Sequence, residues 1–323
     1  MDLTQLKRFL VAAEAGNLRR AAALLHVSQP ALTQSIKGLE SMLGVELFER
    51  SARGVALTPF GRALVPRARM MLNERERIAR DLEEIRSENS ARIAVGVGPY
   101  FSRQIFPTAL LRTLETFPRA KVQVVEAHTT QLVRMLQEGA IELAFCVRNP
   151  VIDDDRSLAF DELYTERYSI MARVGHPLFR RRRISDRDVA SQSWVVHDST
   201  ATATYLGRHF ERLGLEPPQW SITSLSLPLM VALLIKSDLL ALLPEDFVRP
   251  EVAASRLKRV TGHGIRVEGA GGILTRRDAV LGATARELVT RLRAVCAEAR
   301  RDMARIHPAA RGSGEGLPES GAG

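Results

Sequence analysis

The sequence predicts a chain in two parts: an N-terminal unit of short helices and a small hairpin leading into one long helix, then a larger α/β domain of two similar halves. Three observations predict this. Apolar residues recur at helical spacing near the N-terminus, a heptad-like seam follows, and beyond Ala91 short apolar runs alternate with amphipathic segments. At 323 residues the chain also exceeds what a single hydrophobic core supports.

Leu3, Leu6, Phe9, Leu10 and Ala13 share one face of a first helix, which Gly16 stops as a C-cap. Asn17 caps a second helix that turns Leu18, Ala21, Ala22 and Leu25 inward and ends at a His26-Val27 turn. Ser28 caps a third. Its buried stripe is Leu32, Ile36, Leu39 and Leu43, which leaves Gln29, Thr33, Gln34 and Lys37 pointing outward. Residues 49–57 read as a hairpin with Arg53 and Gly54 at its tip, a wing carrying Arg50 and Arg53. Thr58-Pro59 is a strong helix start, because the hydroxyl accepts from an orphan amide and proline in the first turn loses no needed donor. Leu64, Ala68, Met71, Arg75, Ile78, Leu82 and Ile85 then alternate four and three apart, a dimerising seam with one charge in it. A helix over 59–88 would extend roughly 45 Å.

The α/β part begins with a strand at 93–97 and a helix over 101–117. A strand at 121–126, a helix at 130–138 and a strand at 141–147 complete a first half of parallel strands with crossover helices. A second set follows at 168–173, 194–197, 203–213, 220–224, 227–235 and 239–243, before a strand at 272–275 and a helix over 279–301 return to the first half. Two crossings, near 160–163 and 267–271, would form a hinge. Ligands of such sheets bind beyond the carboxyl ends of strands, where helix N-termini present free amides. The expected cleft residues are therefore Pro99, Tyr100, Phe101, Ser102, Thr129, Thr130, Ser199, Thr200, Thr202, Ser224 and Leu225, with Arg148 as charge partner for an organic anion.

Composition narrows the function classes. The net charge is +9, and residues 1–69 hold ten basic against five acidic side chains, which favours a polyanionic partner and places it at the N-terminal unit. No run is long and apolar enough for a membrane span and no secretory signal is evident, so the cytoplasm is expected. Cys146 and Cys296 belong to no metal-ligand spacing and lie in apolar segments, as buried inert thiols do. No enzyme activity or cofactor is expected. Gly96-Val97-Gly98 lacks the third glycine of a dinucleotide fingerprint, and His197-Asp198-Ser199 are adjacent and cannot converge as a triad. The arginine run 180–183 reads as a solvated loop, and residues 304–323 as a disordered tail.

The segment from Leu3 to Gly61 resembles the N-terminal domain of LysR-type transcriptional regulators, through Ala21-Ala22, Val27-Ser28-Gln29-Pro30-Ala31-Leu32, Ile36, Leu39-Glu40, Leu43-Gly44, Leu47-Phe48-Glu49-Arg50 and Leu57-Thr58-Pro59-Phe60-Gly61. The resemblance implies a winged helix-turn-helix over 1–58 and a linker helix over 59–90 that pairs subunits through Leu64, Ala68, Met71, Ile78, Leu82 and Ile85. It further implies a periplasmic-binding-protein-like effector domain over 91–303, with one subdomain at about 91–161 and 268–303 and the other at about 162–267. DNA contacts carry over to Gln29, Pro30, Thr33, Gln34 and Lys37, with Ser28 at the helix start, and to Arg50 and Arg53. At Asn17-Leu18-Arg19 the chain departs from the family's usual hydroxyl and aromatic residues, and Arg19 remains suited to a phosphate. The implied partners are double-stranded DNA at an interrupted inverted repeat, a small-molecule effector, RNA polymerase and further copies of the chain as dimer or tetramer.

Overall fold

A computed structural model describes residues 1–51, 54–86, 92–197 and 200–306; for residues 50–51, 80–81, 83–86, 200–205 and 302–306 it describes the backbone alone. Arg53, Ser199 and the tail from 307 onward lie outside the described residues.

The N-terminal unit packs α1 (Leu3–Ala15), α2 (Leu18–Leu24) and α3 (Gln29–Leu43) around Leu6, Phe9, Leu10, Leu39 and Leu47 on one side and Ala12, Ala21, Ala22, Leu32 and Ile36 on the other. Each helix starts on a side-chain cap. Asp2 and Gln5 form a reciprocal capping box, Asn17 accepts from the Arg19 and Arg20 amides, and Ser28 accepts from Ala31. Strands β1 (Phe48–Ser51) and β2 (Gly54–Leu57) pair antiparallel as the wing. Glu40 ties α3 to it by accepting from the Leu47 and Phe48 amides at 2.9 and 3.3 Å.

Helix α4 (Pro59–Arg86) is 28 residues long, about 42 Å, and Thr58 caps it by accepting from the Gly61 amide. The expected pairing seam is only partly free. Ala68 is fully buried and Leu64 partly buried in the core of their own N-terminal unit, because α1 lies against this end of the helix. Met71, Ile78 and Leu82 are 43, 54 and 62 % exposed, so the exposed stripe starts about two turns later than the heptad pattern places it.

The first half of the α/β domain contains β3 (Arg92–Val97), α5 (Ile105–Thr116), β4 (Lys121–Glu126), α6 (Thr129–Gln137), β5 (Leu143–Val147) and α7 (Pro150–Asp153). The helix expected from residue 101 starts only at Ile105, after a 3-10 turn at Pro99–Phe101. Pro107 explains this: proline is tolerated in a first turn, where its missing N–H is not needed, and not inside the helix. A long strand, β6 (Leu158–Arg173), leads to the second half: α8 (Asp186–Ala190), β7 (Ser193–His197), α9 (Thr200–Arg212), β8 (Gln219–Ser224), α10 (Leu227–Lys236), β9 (Ala241–Pro244), α11 (Glu245–Ala253) and β10 (Leu257–Arg259). Strand β11 (Val267–Arg276) and helix α12 (Ala283–Ile306) return to the first half. Helix α12 thus continues past residue 303, into the start of the segment expected as tail.

Seven strands form one mixed sheet in the order β10-β6-β11-β5-β3-β4, with β9 also on β6. β3 pairs parallel with β4 and β5, as the crossover pattern predicts, while β11 runs antiparallel between β5 and β6. The two expected short crossings are one continuous antiparallel ladder, from Val267 opposite Tyr168 to Arg276 opposite Leu158, with a register shift at Gly271/Gly272. Gly271 is required there: a Cβ would lie 2.6 Å from the Phe101 ring, which rests on that strand. Each half has its own core, one around Phe101, Phe106 and Phe145, the other around Trp194, Phe210 and Ile170. Among the described residues no helix is long and apolar enough to cross a membrane.

Candidate nucleic-acid interface and ligand cleft

Helix α3 presents Gln29, Pro30, Gln34 and Lys37 to solvent from one exposed face near its N-terminus, while Leu32, Ile36 and Leu39 hold the opposite face in the core. Thr33 is half-buried and its hydroxyl donates to the Gln29 carbonyl at 2.9 Å, and Ser28 is committed to capping, so both position the helix. Arg19 and Arg20 are exposed beside the shallow depression lined by Ala15, Gly16, Asn17 and Ala23. Arg20, which lies in the first turn of the helix capped by Asn17, was not among the expected residues. Arg50 lies on β1. The wing is fixed to the α1–α2 turn: the Val55 amide donates to the Gly16 carbonyl at 2.9 Å, and Gly54, at φ +134°, approaches so closely that a Cβ would lie 2.3 Å from that oxygen.

The cleft residues separate on inspection. Pro99 and Phe101 are buried, and the Phe101 ring packs on Phe145 at 4.5 Å within the first core. The Ser102 hydroxyl donates to the Pro99 carbonyl and the Thr129 hydroxyl to the Val147 carbonyl, both used to fix loops. Arg148, the expected charge partner for an organic anion, is exposed and pairs with Asp153 at 2.7 Å. Ser224 accepts from the Ser226 amide, Thr130 and Leu225 are exposed, and Thr200 and Thr202 lie on the first turn of α9.

What meets across the two halves is an aromatic and acidic group. Tyr100, from the first half, packs edge-on against Tyr168 of β6 at 5.6 Å and against His197, at the end of β7, at 5.7 Å. His128, which precedes α6, meets His197 at 4.8 Å. On β6, two residues before Tyr168, Glu166 is 1 % exposed, and burial, then Glu245, push its carboxyl up to about 8 against the opposing pull of Arg249. Burial likewise raises the phenols of Tyr100 and Tyr168. Sequence reasoning missed Glu166 and Tyr168, although the period of two along β6 places them on one face with Tyr164. His197 was visible only as part of a failed triad. Nearby, Arg103 donates to the Phe247 carbonyl and to Glu251, and Gln104 donates to the Asp246 carbonyl, tying the first half to α11.

Arg69 on α4 joins three regions, bonding Glu14 of α1 at 2.9 Å and Glu138, which follows α6, at 2.7 Å. Asn73 donates to the Glu138 carbonyl, Arg276 pairs with Glu74, and Arg77 donates to the Val280 carbonyl and lies 3.7 Å from Glu142. Both cysteines are buried, and burial pushes each thiol up to about 12, which keeps it unreactive at neutral pH.

Two known families match the chain. The one described as "Bacterial regulatory helix-turn-helix protein, lysR family" matches residues 3–62, and "LysR substrate binding domain" matches residues 86–297. The chain is 31 % identical over 284 residues to an SDS degradation transcriptional activation protein of a Pseudomonas species, covering 86 % of this chain and 88 % of that protein. It is 34 % identical over 182 residues to a probable hydrogen peroxide-inducible genes activator of Mycobacterium xenopi, covering 56 % of this chain and 95 % of that one. Among solved structures, the LysR family regulator CbnR complexed with its target DNA has a TM-score of 0.65 at 22 % identity, over 91 % of this chain and 100 % of that one. ArgP from Mycobacterium tuberculosis has a TM-score of 0.66 at 20 % identity, over 92 and 97 %. At these identities the structures share the fold.

Proposed function

The chain belongs to the LysR family of transcriptional regulators, and on that premise we propose that α3 and the wing read an operator while a small molecule held between the two halves of the α/β domain sets the activity. It is a DNA-binding transcriptional regulator with an effector domain. The observation that carries the site assignment is the exposed face Gln29, Gln34 and Lys37 on a capped helix, beside a wing pinned at Gly16. A helix of this kind fits the major groove; glutamine bonds an adenine edge through both amide atoms, and lysine holds a phosphate. Arg19, Arg50 and Arg53 would then lie along the backbone.

Subunits pair through Met71, Ile78 and Leu82 of α4, giving the twofold arrangement that an inverted repeat requires. Effector binding changes the angle between the halves, and the contacts of Arg69, Asn73 and Arg77 carry that change to α4 and the heads, which alters how RNA polymerase meets the promoter. The protein acts in the cytoplasm, where its DNA is. The test is a mobility shift and footprint on the DNA upstream of its own gene, in several salt concentrations, comparing wild type with Gln29→Ala. A selective footprint lost in the variant, with affinity falling steeply as salt rises, supports the reading; equal weak binding to all DNA refutes it.

A further inference from the structure

We propose that the effector is an organic cation, a small primary amine or amidine, held by the Glu166 carboxyl and the phenols of Tyr100 and Tyr168. This rests on the reading above that the space between the halves takes a small molecule.

Glu166 lies on β6 opposite Gly269, over which Val147 and the Tyr168 ring close to 3.1 and 3.5 Å of where a Cβ would stand, and it shares its strand face with Tyr164 and Tyr168. It is 1 % exposed, and among the described residues neither carboxyl oxygen has a hydrogen-bond partner. A buried polar group in that condition is costly, and a ligand that satisfies it gains what the empty site forgoes. The arginines of the neighbouring elements are already committed: Arg103 to Glu251, Arg249 to Asp246, Arg259 to Glu245 and Arg148 to Asp153. Among the described residues no arginine forms a hydrogen bond to Glu166.

The sign of the ligand's charge follows from what surrounds this carboxyl. Tyr100 and Tyr168 place two phenol rings beside it, and aromatic faces attract cations. Glu245, which accepts from Ser169, is a second acid whose field reaches Glu166, with Arg249 opposing it. An organic anion would meet the field of Glu245, with Arg249 already paired with Asp246.

Binding carries a proton balance. Because Glu166 is pushed up to about 8, it is mostly uncharged at pH 7, and an arriving ammonium favours its ionised form. The O–H bond of Glu166 breaks, its proton passes to buffer, and the ligand keeps its own protons. Amine affinity should therefore rise with pH, approaching tenfold per unit below about 8, and level off above it.

The experiment titrates the full-length protein by calorimetry with a matched panel of small alkylamines, diamines and amidines and the corresponding carboxylates, in two buffers of different ionisation enthalpy at pH 6, 7 and 8. The expected result is at least one amine that binds with release of close to one proton at pH 7. Glu166→Gln, with a cooperative melt like that of wild type, should lose at least tenfold in affinity and all proton release, and Tyr168→Phe should weaken binding while keeping the release. Binding of carboxylates instead, lost on substitution of Tyr100 or His197, would overturn the cation assignment and leave the cleft reading standing. Amine binding unchanged by Glu166→Gln would overturn it too, and no binding by any member of either set would remove both.

Discussion

Replacing Gly54 by alanine places a methyl group where the wing crosses the α1–α2 turn. The added Cβ would lie 2.3 Å from the Gly16 oxygen, about 1 Å inside the 3.4 to 4 Å of ordinary contact, at a φ of +134° that side chains rarely adopt. The strand must move away, and that movement breaks the Val55–Gly16 hydrogen bond of 2.9 Å. Backbone strain of about 1–3 kcal/mol and a lost bond worth about 1 kcal/mol give roughly 2–4 kcal/mol against the closed wing. Gly16 is the control: its φ is +62° with nothing within 4 Å, so Gly16→Ala bears only the left-handed cost of about 1–2 kcal/mol. Trp194 and Trp220, the only tryptophans, lie in the effector domain and do not report on the head, so the assay is hydrogen exchange of the full-length protein followed by mass spectrometry. At about 1.4 kcal/mol per tenfold, wing amides of Gly54→Ala should exchange roughly 30- to 700-fold faster, and DNA affinity should fall with them. Equal, small changes in the two variants would refute the argument that the close approach fixes the wing.

Glu166 should also appear in the pH dependence of stability. Between its usual value of 4.5 and about 8 the folded protein holds a proton that the unfolded chain has released, so stability falls as pH rises through that window, by up to about 1.4 kcal/mol per unit. Melts of Glu166→Gln from pH 5 to 8 should lack that slope; parallel profiles would contradict it. Glutamate at Ile78 and Leu82 together should shift sedimentation toward smaller species, whereas Ala68→Glu should first destabilise the head, because Ala68 is 0 % exposed in its own core. In a double-mutant cycle Arg69→Ala and Glu138→Ala should couple by about 0.5–1 kcal/mol in the exchange of α4 amides, small because Arg69 is 33 % exposed, and additivity would place no weight on this link.

The head was legible because its elements are local. Caps at Asn17 and Ser28, the glycine at 16, and the stripe through Leu32, Ile36 and Leu39 each name a structural role within a few residues. The ladder of β6 and β11 was hidden by composition: Asp161, Glu162 and Glu166 interrupt one strand and Gly269, Gly271 and Gly272 thin the other, so neither shows a continuous apolar run, and the pairing depends on residues about a hundred positions apart. The side chains that meet between the halves were hidden for a related reason. Hydroxyls at helix starts pointed to Ser102 and Thr129, which fix loops, while Tyr168, Glu166 and His197 come together only through the tertiary fold. On α4 the spacing alone could not tell that Leu64 and Ala68 pack into the core of the head, which leaves Met71, Ile78 and Leu82 exposed.

The most direct test of DNA reading by α3 is selection of bound fragments from sheared genomic DNA by the full-length protein, comparing wild type, Gln34→Ala and Lys37→Ala. If the exposed face of α3 reads DNA, wild type enriches one inverted-repeat motif, Gln34→Ala relaxes it at specific positions by about 1–3 kcal/mol of discrimination, and Lys37→Ala weakens binding to all sequences with a shallower salt dependence. Identical motifs, affinities and salt slopes for all three proteins would contradict it.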